Sequence, residues 1–271
     1  MIDRRRFLAA IPAVALPLHI AVAGPNDRLP DGEVTSSGAL RAWLVGPTTR
    51  YTHAVLGDNI EAEGFVVETG GRQLQLRLGP EAVFEDRRVR LIKMDSSSIP
   101  LALVVKAYQE RGAALALYRL GPDKIEPLAE SAPIGRPNRW LNPVGAADFT
   151  GSGEIMIAAV VTPHLSGSLR LYRLAGGSLR EVARIDGYTN HIIGSRDLDL
   201  AQIVTTREGK PVIVIPTIDR FSIATVSFFG SQAKIVSRTP TSSRILTMSA
   251  AGNGTVPLNF ENGLAQAVSI I

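Results

Sequence analysis

Apolar residues along this chain come in short runs separated by polar and turn-forming residues, and almost nowhere do they recur with the roughly 3.6-residue period of a helix. The runs LRAWLV, EGFVVE, RQLQLRL, VRLIKM, LALVVKAY, ALALYRL, IMIAAVV, LRLYRL, PVIVIP and IATVSFF follow one another about every ten residues. Some alternate and some are continuous, with many branched residues, which predicts strands buried on one face or on both. Residues 145–160, GAADFTGSGEIMIAAV, show the pattern most sharply. Asp148 and Thr150 put oxygens on alternate residues, while Gly151 and Gly153 permit the positive φ of a tight turn. Beyond Glu154 the run is wholly apolar, as expected of an inner strand.

Similar loop-then-strand units fall at residues 57–67, 95–105, 148–160, 204–215 and 249–258. Tyr118-Arg119-Leu120 and Tyr172-Arg173-Leu174 repeat at roughly the length of one four-stranded blade. Residues 72–80 and 114–122 share a Leu-Gly-Pro ending at a comparable offset. The pattern predicts an all-β protein, a β-propeller of about five blades, in which each small sheet shelters the apolar faces of its neighbours. An open sandwich or two separate sheets is the alternative.

Composition adjusts this picture at the N-terminus. Residues 1–23 carry Arg4, Arg5 and Arg6, an apolar stretch, and Ala21-Val22-Ala23 before Gly24, the layout of a cleavable signal peptide. The order Arg4-Arg5-x-Phe7-Leu8 resembles a twin-arginine export signal, although Asp3 and Ala9 depart from its fuller pattern and leave ordinary secretion open. We therefore expect a periplasmic or secreted protein with no membrane span after cleavage, a lead-in at 24–37, and one propeller domain over 38–271. The 25 glycines and 17 prolines fit a chain with many turns. Residues 1–23 hold three arginines and one aspartate, so removing them lowers the formal net charge from +4 to +2, too little for a nucleic-acid footprint. Arg87, Arg88 and Arg90 form the one later basic cluster and read as a solvated strand. There is no cysteine, and a chain of this length can bury enough apolar surface without disulfides.

Walker, HExxH, G-x-S-x-G and paired CxxC motifs are all missing. What remains is a set of polar and aromatic residues in the connections: Tyr51, His53, Asn138, Arg139, Trp140, Asn142, His164, Tyr188, Asn190, His191 and Arg196. If the blades stack, equivalent connections gather at one end and these side chains line a single polar pocket. Imidazole, indole and guanidinium together suit a sugar, a carboxylate or a peptide end. His53, His164 and His191 could instead hold a metal, or each group could simply satisfy backbone carbonyls in the connections. Asp197 and Asp199 read as turn and edge residues.

The loop Asp148-Phe-Thr-Gly-Ser-Gly-Glu and its apolar strand resemble an FG-GAP or VCBS repeat, the unit of integrin-α-like propellers. Residues 138–148, Thr162-Pro163-His164 and residues 190–196 are similar to short exported bacterial proteins of the VCBS type. The resemblance implies a propeller and raises Ca²⁺ as a cofactor, with Asp148, Thr150 and Ser152 as its ligands. An Asx-type turn, in which Asp148 bonds its own loop amides, is the alternative. The expected function is a non-enzymatic binding or interaction module for a protein, peptide or glycan of the cell envelope. The alternatives are a periplasmic hydrolase or lyase, with His191 or His164 as general base and Arg196 or Arg139 steadying negative charge, and a structural assembly factor of the envelope.

Overall fold

The computed structural model describes residues 27–95, 99–250 and 254–270. The predicted export segment at 1–23 lies outside them. The described residues form strands and turns, and none of their helices is long and apolar enough to cross a membrane.

The strands group into five antiparallel meanders, the blades of a β-propeller. Blade one contains β1 (Thr35–Ser37), β2 (Leu40–Thr48), β3 (Glu61–Thr69) and β4 (Arg72–Arg77). Blade two contains β5 (Ala82–Phe84), β6 (Arg90–Ile92), β7 (Leu101–Tyr108), β8 (Gly112–Leu120) and β9 (Ile125–Ser131). Blade three contains β10 (Leu141–Ala147), β11 (Met156–Val161), β12 (Ser168–Ala175) and β13 (Ser178–Asp186). Blade four contains β14 (Gln202–Thr205), β15 (Pro211–Pro216), β16 (Ser222–Phe229) and β17 (Gln232–Pro240). Blade five contains β18 (Ile245–Met248), β19 (Thr255–Phe260) and β20 (Ala265–Ser269). The predicted loop-then-strand units end on β3, β7, β11, β15 and β19, one in each blade. Both Tyr-Arg-Leu triplets lie on third strands, β8 and β12, and a β-bulge recurs where the third strand meets the fourth in blades two, three and four.

Period-two alternation turns each inner strand into a divider between two cores. On β7, Ala102 and Val104 face blade one with Phe65, Phe84 and Tyr118, while Leu103 and Val105 face blade three with Ile157 and Ala159. On β11, Ile157, Ala159 and Val161 serve the core shared with blade two, and Met156, Ala158 and Val160 serve the core shared with blade four. This double burial explains why these strands read as continuous apolar runs. The rings of Phe65, Phe84 and Tyr118 meet edge to face at 5.3–6.0 Å. Blades four and five share a further core around Leu200, Val214, Val256 and Leu258. Among the described residues no core and no strand pair joins blade five to blade one, and β20 is largely exposed. The lead-in also joins the fold, since β1 pairs with β2 and Arg28 bridges Val45.

The first strand of blade two is interrupted. β5 and β6 both pair with β7, at Phe84↔Lys106 and Arg90↔Leu103, and the residues between them leave the ladder. That break turns Glu85 and Asp86 into the interior, at 0% and 1% exposure. It also corrects the reading of the arginines as a solvated strand. Arg90 is buried and donates to Asp86 at 2.6 Å, and Arg88 forms a two-pronged pair with Asp199. Asp199, half exposed as expected of an edge residue, is paired all the same: against the opposing effect of burial, Arg88 holds its carboxyl below the usual range.

Candidate functional site

Three connections meet at the junction of blades one, two and three. The β2–β3 connection brings His53, the β9–β10 connection brings Asn138, Arg139 and Trp140, and the β11–β12 turn brings Pro163, His164 and Leu165. With Thr162 and Ile193 they enclose a recess of about 190 Å³. Backbone strain collects here. Ala54, Asn138 and Thr162 all have positive φ, at 54°, 52° and 48°, and for the branched Thr162 that conformation is costly. It is held because the Thr162 amide donates to the Trp140 carbonyl at 2.9 Å while its own carbonyl accepts from Leu165 and Gly167, each at 3.0 Å.

Trp140 anchors the floor. Its indole donates to the Glu85 carbonyl at 2.9 Å, one face stacks on His164 with planes 8° apart, and His191 meets it edge-on at 4.8 Å. The two histidines form a relay. His191 Nε2 sits 2.9 Å from the Ser195 carbonyl, which can only accept, so His191 carries its proton there and takes one at Nδ1 from His164 Nε2 at 2.8 Å. This assignment leaves His164 neutral with a lone pair at Nδ1. Burial pushes His164 down to about 3, helped by His191 and His53, and pushes His191 down to about 4. His191 has both ring nitrogens engaged, so it positions His164 and has no free nitrogen for a general base, correcting the role expected of it.

His53 is held from behind by Glu85, with Nδ1 to Oε1 at 2.6 Å. Burial and the neighbouring Asp86 carboxylate hold Glu85 well above the ordinary range, while burial and Arg139 hold His53 below its own. Both shifts favour the uncharged forms of the pair. The other Glu85 oxygen is buried without a partner, which a neutral acid tolerates better than a carboxylate does. Glu61 lies in the same interior and is pushed up to about 9 by burial, then by Glu85, Asp58 and Asp86.

Five of the predicted residues therefore share the recess: His53, Asn138, Arg139, Trp140 and His164. The others serve elsewhere. Tyr51 is buried, and its hydroxyl lies near the Asn138 backbone without reaching hydrogen-bond geometry. Asn142 and Asn190 exchange amide-to-carbonyl bonds at 2.9 and 3.2 Å, and Asn142 also bonds Leu198 and Arg90, so the pair ties blade three to the connection that leaves it. Arg196 is engaged by Asp31 of the lead-in and Asp58 of the connection between β2 and β3. Tyr188 is a core residue that bridges Thr217. Sequence reading missed Glu85, Asp86 and Arg90. Their only signal was an acidic pair directly after the apolar triplet Ala82-Val83-Phe84, which reads as a surface turn.

Among the described residues no three histidine, cysteine or acidic side chains are placed to hold a metal ion, and His164 and His191 bond each other instead. In the loop proposed for Ca²⁺, Asp148 accepts from the amides of Ser152 and Gly153 at 3.0 and 2.7 Å, and Thr150 and Ser152 pair their hydroxyls at 2.9 Å. That is the Asx-type turn. A larger cavity of about 630 Å³ opens beside β9, β12 and β13, where Arg170 is committed to Glu181, and Glu130 to Lys106 and Tyr108, while Arg180 also lines it.

No protein-family model matches the chain, and no curated protein matches it. Among solved structures, a streptogramin B lyase is similar over 90% of this chain and 70% of its own, with 14% identity and a TM-score of 0.38. A Bacteroides fragilis protein named as a 6-phosphogluconolactonase is similar over 88% of this chain and 69% of its own, with 11% identity and a TM-score of 0.41. Likeness at this level extends neither activity nor substrate to this chain.

Proposed function

We propose that this chain is an exported, non-enzymatic β-propeller that acts as a binding module in the cell envelope, offering the recess at blades one to three to a protein, peptide or glycan. The observation that carries the reading is the convergence of His53, Asn138, Arg139, Trp140 and His164 from three separate connections, with His53, Trp140 and His164 held by hydrogen bonds to their surroundings. Side chains held in place before a ligand arrives lose little entropy on binding. A loop-then-strand unit in every blade supports an FG-GAP/VCBS-like origin, and the basic and apolar N-terminus supports export.

A second reading, a hydrolase or lyase on the same scaffold, is favoured by one contact, the short bond between His53 and Glu85. In that reading His53 is the proton-transfer group. Isothermal titration with peptide and glycan panels, run beside a turnover assay on the same compounds, separates the two. Stoichiometric binding without turnover supports the module. Turnover that disappears in His53→Gln overturns it.

A further inference from the structure

Arg139 lines the recess, and among the described residues its guanidinium has no carboxylate within ion-pair distance, its one hydrogen bond being to the Asn138 carbonyl at 2.8 Å. Arg50, Arg88, Arg90 and Arg196, by contrast, are matched: Arg50 by Glu63, Arg88 by Asp199, Arg90 by Asp86 and Arg196 by Asp31 and Asp58. Beside Arg139, His53 presents its Nε2 side with Nδ1 already occupied by Glu85. The recess thus offers a cation beside the unoccupied Nε2 side of an imidazole, with no acid of its own between them.

The walls narrow the choice further. A volume of about 190 Å³ is below the ~300–1,000 Å³ of pockets that enclose whole drug-sized ligands, so one residue-sized group fits. The Trp140 ring is 2% exposed, with His164 against its face, so it offers no platform for a sugar. Leu165 and Ile193 on the rim are 60% and 67% exposed and form, with Pro163, an apolar lip.

We propose that this recess captures the free C-terminal carboxylate of a peptide that ends in an aliphatic residue, with Arg139 and His53 holding the carboxylate and Leu165 and Ile193 receiving the side chain. The inference rests on the binding-module reading and names its ligand. Arg139 supplies charge-assisted hydrogen bonds, and the buried Glu85 acts as a positioning residue that fixes the His53 tautomer.

The test is isothermal titration of the full purified chain with acetyl-Ala-Ala-Leu as the free acid, the same peptide as its C-terminal amide, glucuronate, and a panel of longer neutral peptides and glycans. The free acid is expected to bind at least tenfold more tightly than the amide. Arg139→Gln is expected to lose at least tenfold in affinity for the acid while melting at the same temperature, with Arg139→Lys in between. Nitrogen-15 spectra are expected to place the His53 proton on Nε2. Equal affinity for acid and amide, or unchanged affinity in Arg139→Gln, overturns the carboxylate claim but leaves the binding module standing. Tighter binding of glucuronate than of the peptide acid overturns the peptide claim. Silence from every compound removes both readings. Should Arg139→Gln fail to fold, the comparison of acid with amide on the unaltered chain decides alone.

Discussion

Replacing Asp86 by alanine tests whether the interrupted first strand of blade two is held by its buried charge network. Asp86 accepts from Arg90 at 2.6 Å, from the Val105 amide at 3.0 Å and from the Arg87 amide at 2.9 Å, and its side chain is fully buried against an Arg90 side chain that is 9% exposed. Truncation leaves the Arg90 charge inside with only Asn142 at 3.3 Å for company. Removing one partner of a buried pair costs about 3–5 kcal/mol. The loss of the acceptor for the buried Val105 amide belongs to that cost, and relief of repulsion on Glu85 offsets a part of it. A fall of ~3 kcal/mol is a large share of the roughly 5–15 kcal/mol that holds a domain folded. Urea unfolding followed by circular dichroism measures it, with an unchanged slope confirming that the transition itself is the same. Asp86→Ala combined with Arg90→Met removes both charges, and the two changes are expected to fall short of additivity by at least ~1 kcal/mol. Asp86→Ala within ~1 kcal/mol of the unaltered protein, or strict additivity in the double variant, would refute the argument.

Four further outcomes follow from the same interior. Glu61 holds its proton up to about pH 9 in the folded protein and releases it near the ordinary carboxyl value when unfolded, so stability is full below about 4.5 and declines as pH rises toward 9. Glu61→Gln should flatten that decline by up to ~1.4 kcal/mol per pH unit, read as melting temperature against pH. His164 and His191 act in the opposite direction, because their folded values of about 3 and 4 lie below the unfolded 6.5; stability is present above 6.5 and lost as pH falls, and His164→Asn should shrink the acid-side loss. Tyr51→Phe removes a buried hydroxyl that has no partner, so unfolding free energy should stay within ~1 kcal/mol or rise, and a larger loss would show that the hydroxyl is bonded after all. Asp148→Ala should cost ~1–2 kcal/mol through the two loop amides it strands, while a chelator leaves the melting temperature of the unaltered protein in place; a chelator-induced fall of several degrees would identify the loop as a Ca²⁺ site.

Much of the fold was legible because its information is local. An apolar run such as residues 155–161 can only be a strand buried on both faces, and the glycine-bearing loop before it marks where that strand begins. One such unit per blade made the blades countable. The connections holding His53, Arg139, Trp140 and His164 were recognisable as well, since polar and aromatic residues that serve no strand pattern stand out between strands that do.

Which of those residues meet was decided only in three dimensions. His53 and Asn142 look alike in sequence, each a polar residue two positions after an aromatic one, yet His53 reaches the recess while Asn142 is sealed at 0% exposure against the connection between β13 and β14. Glu85 gives the reason most clearly: its side chain answers His53 from 32 residues away and its carbonyl answers Trp140 from 55. The sequence by itself settled strands, turns and the repeating blade, because hydrophobic periodicity and turn chemistry act between near neighbours. Only tertiary packing could bury an acid beside a histidine and leave Arg139 at the recess without a carboxylate partner, because burial and charge pairing belong to the space between chain segments.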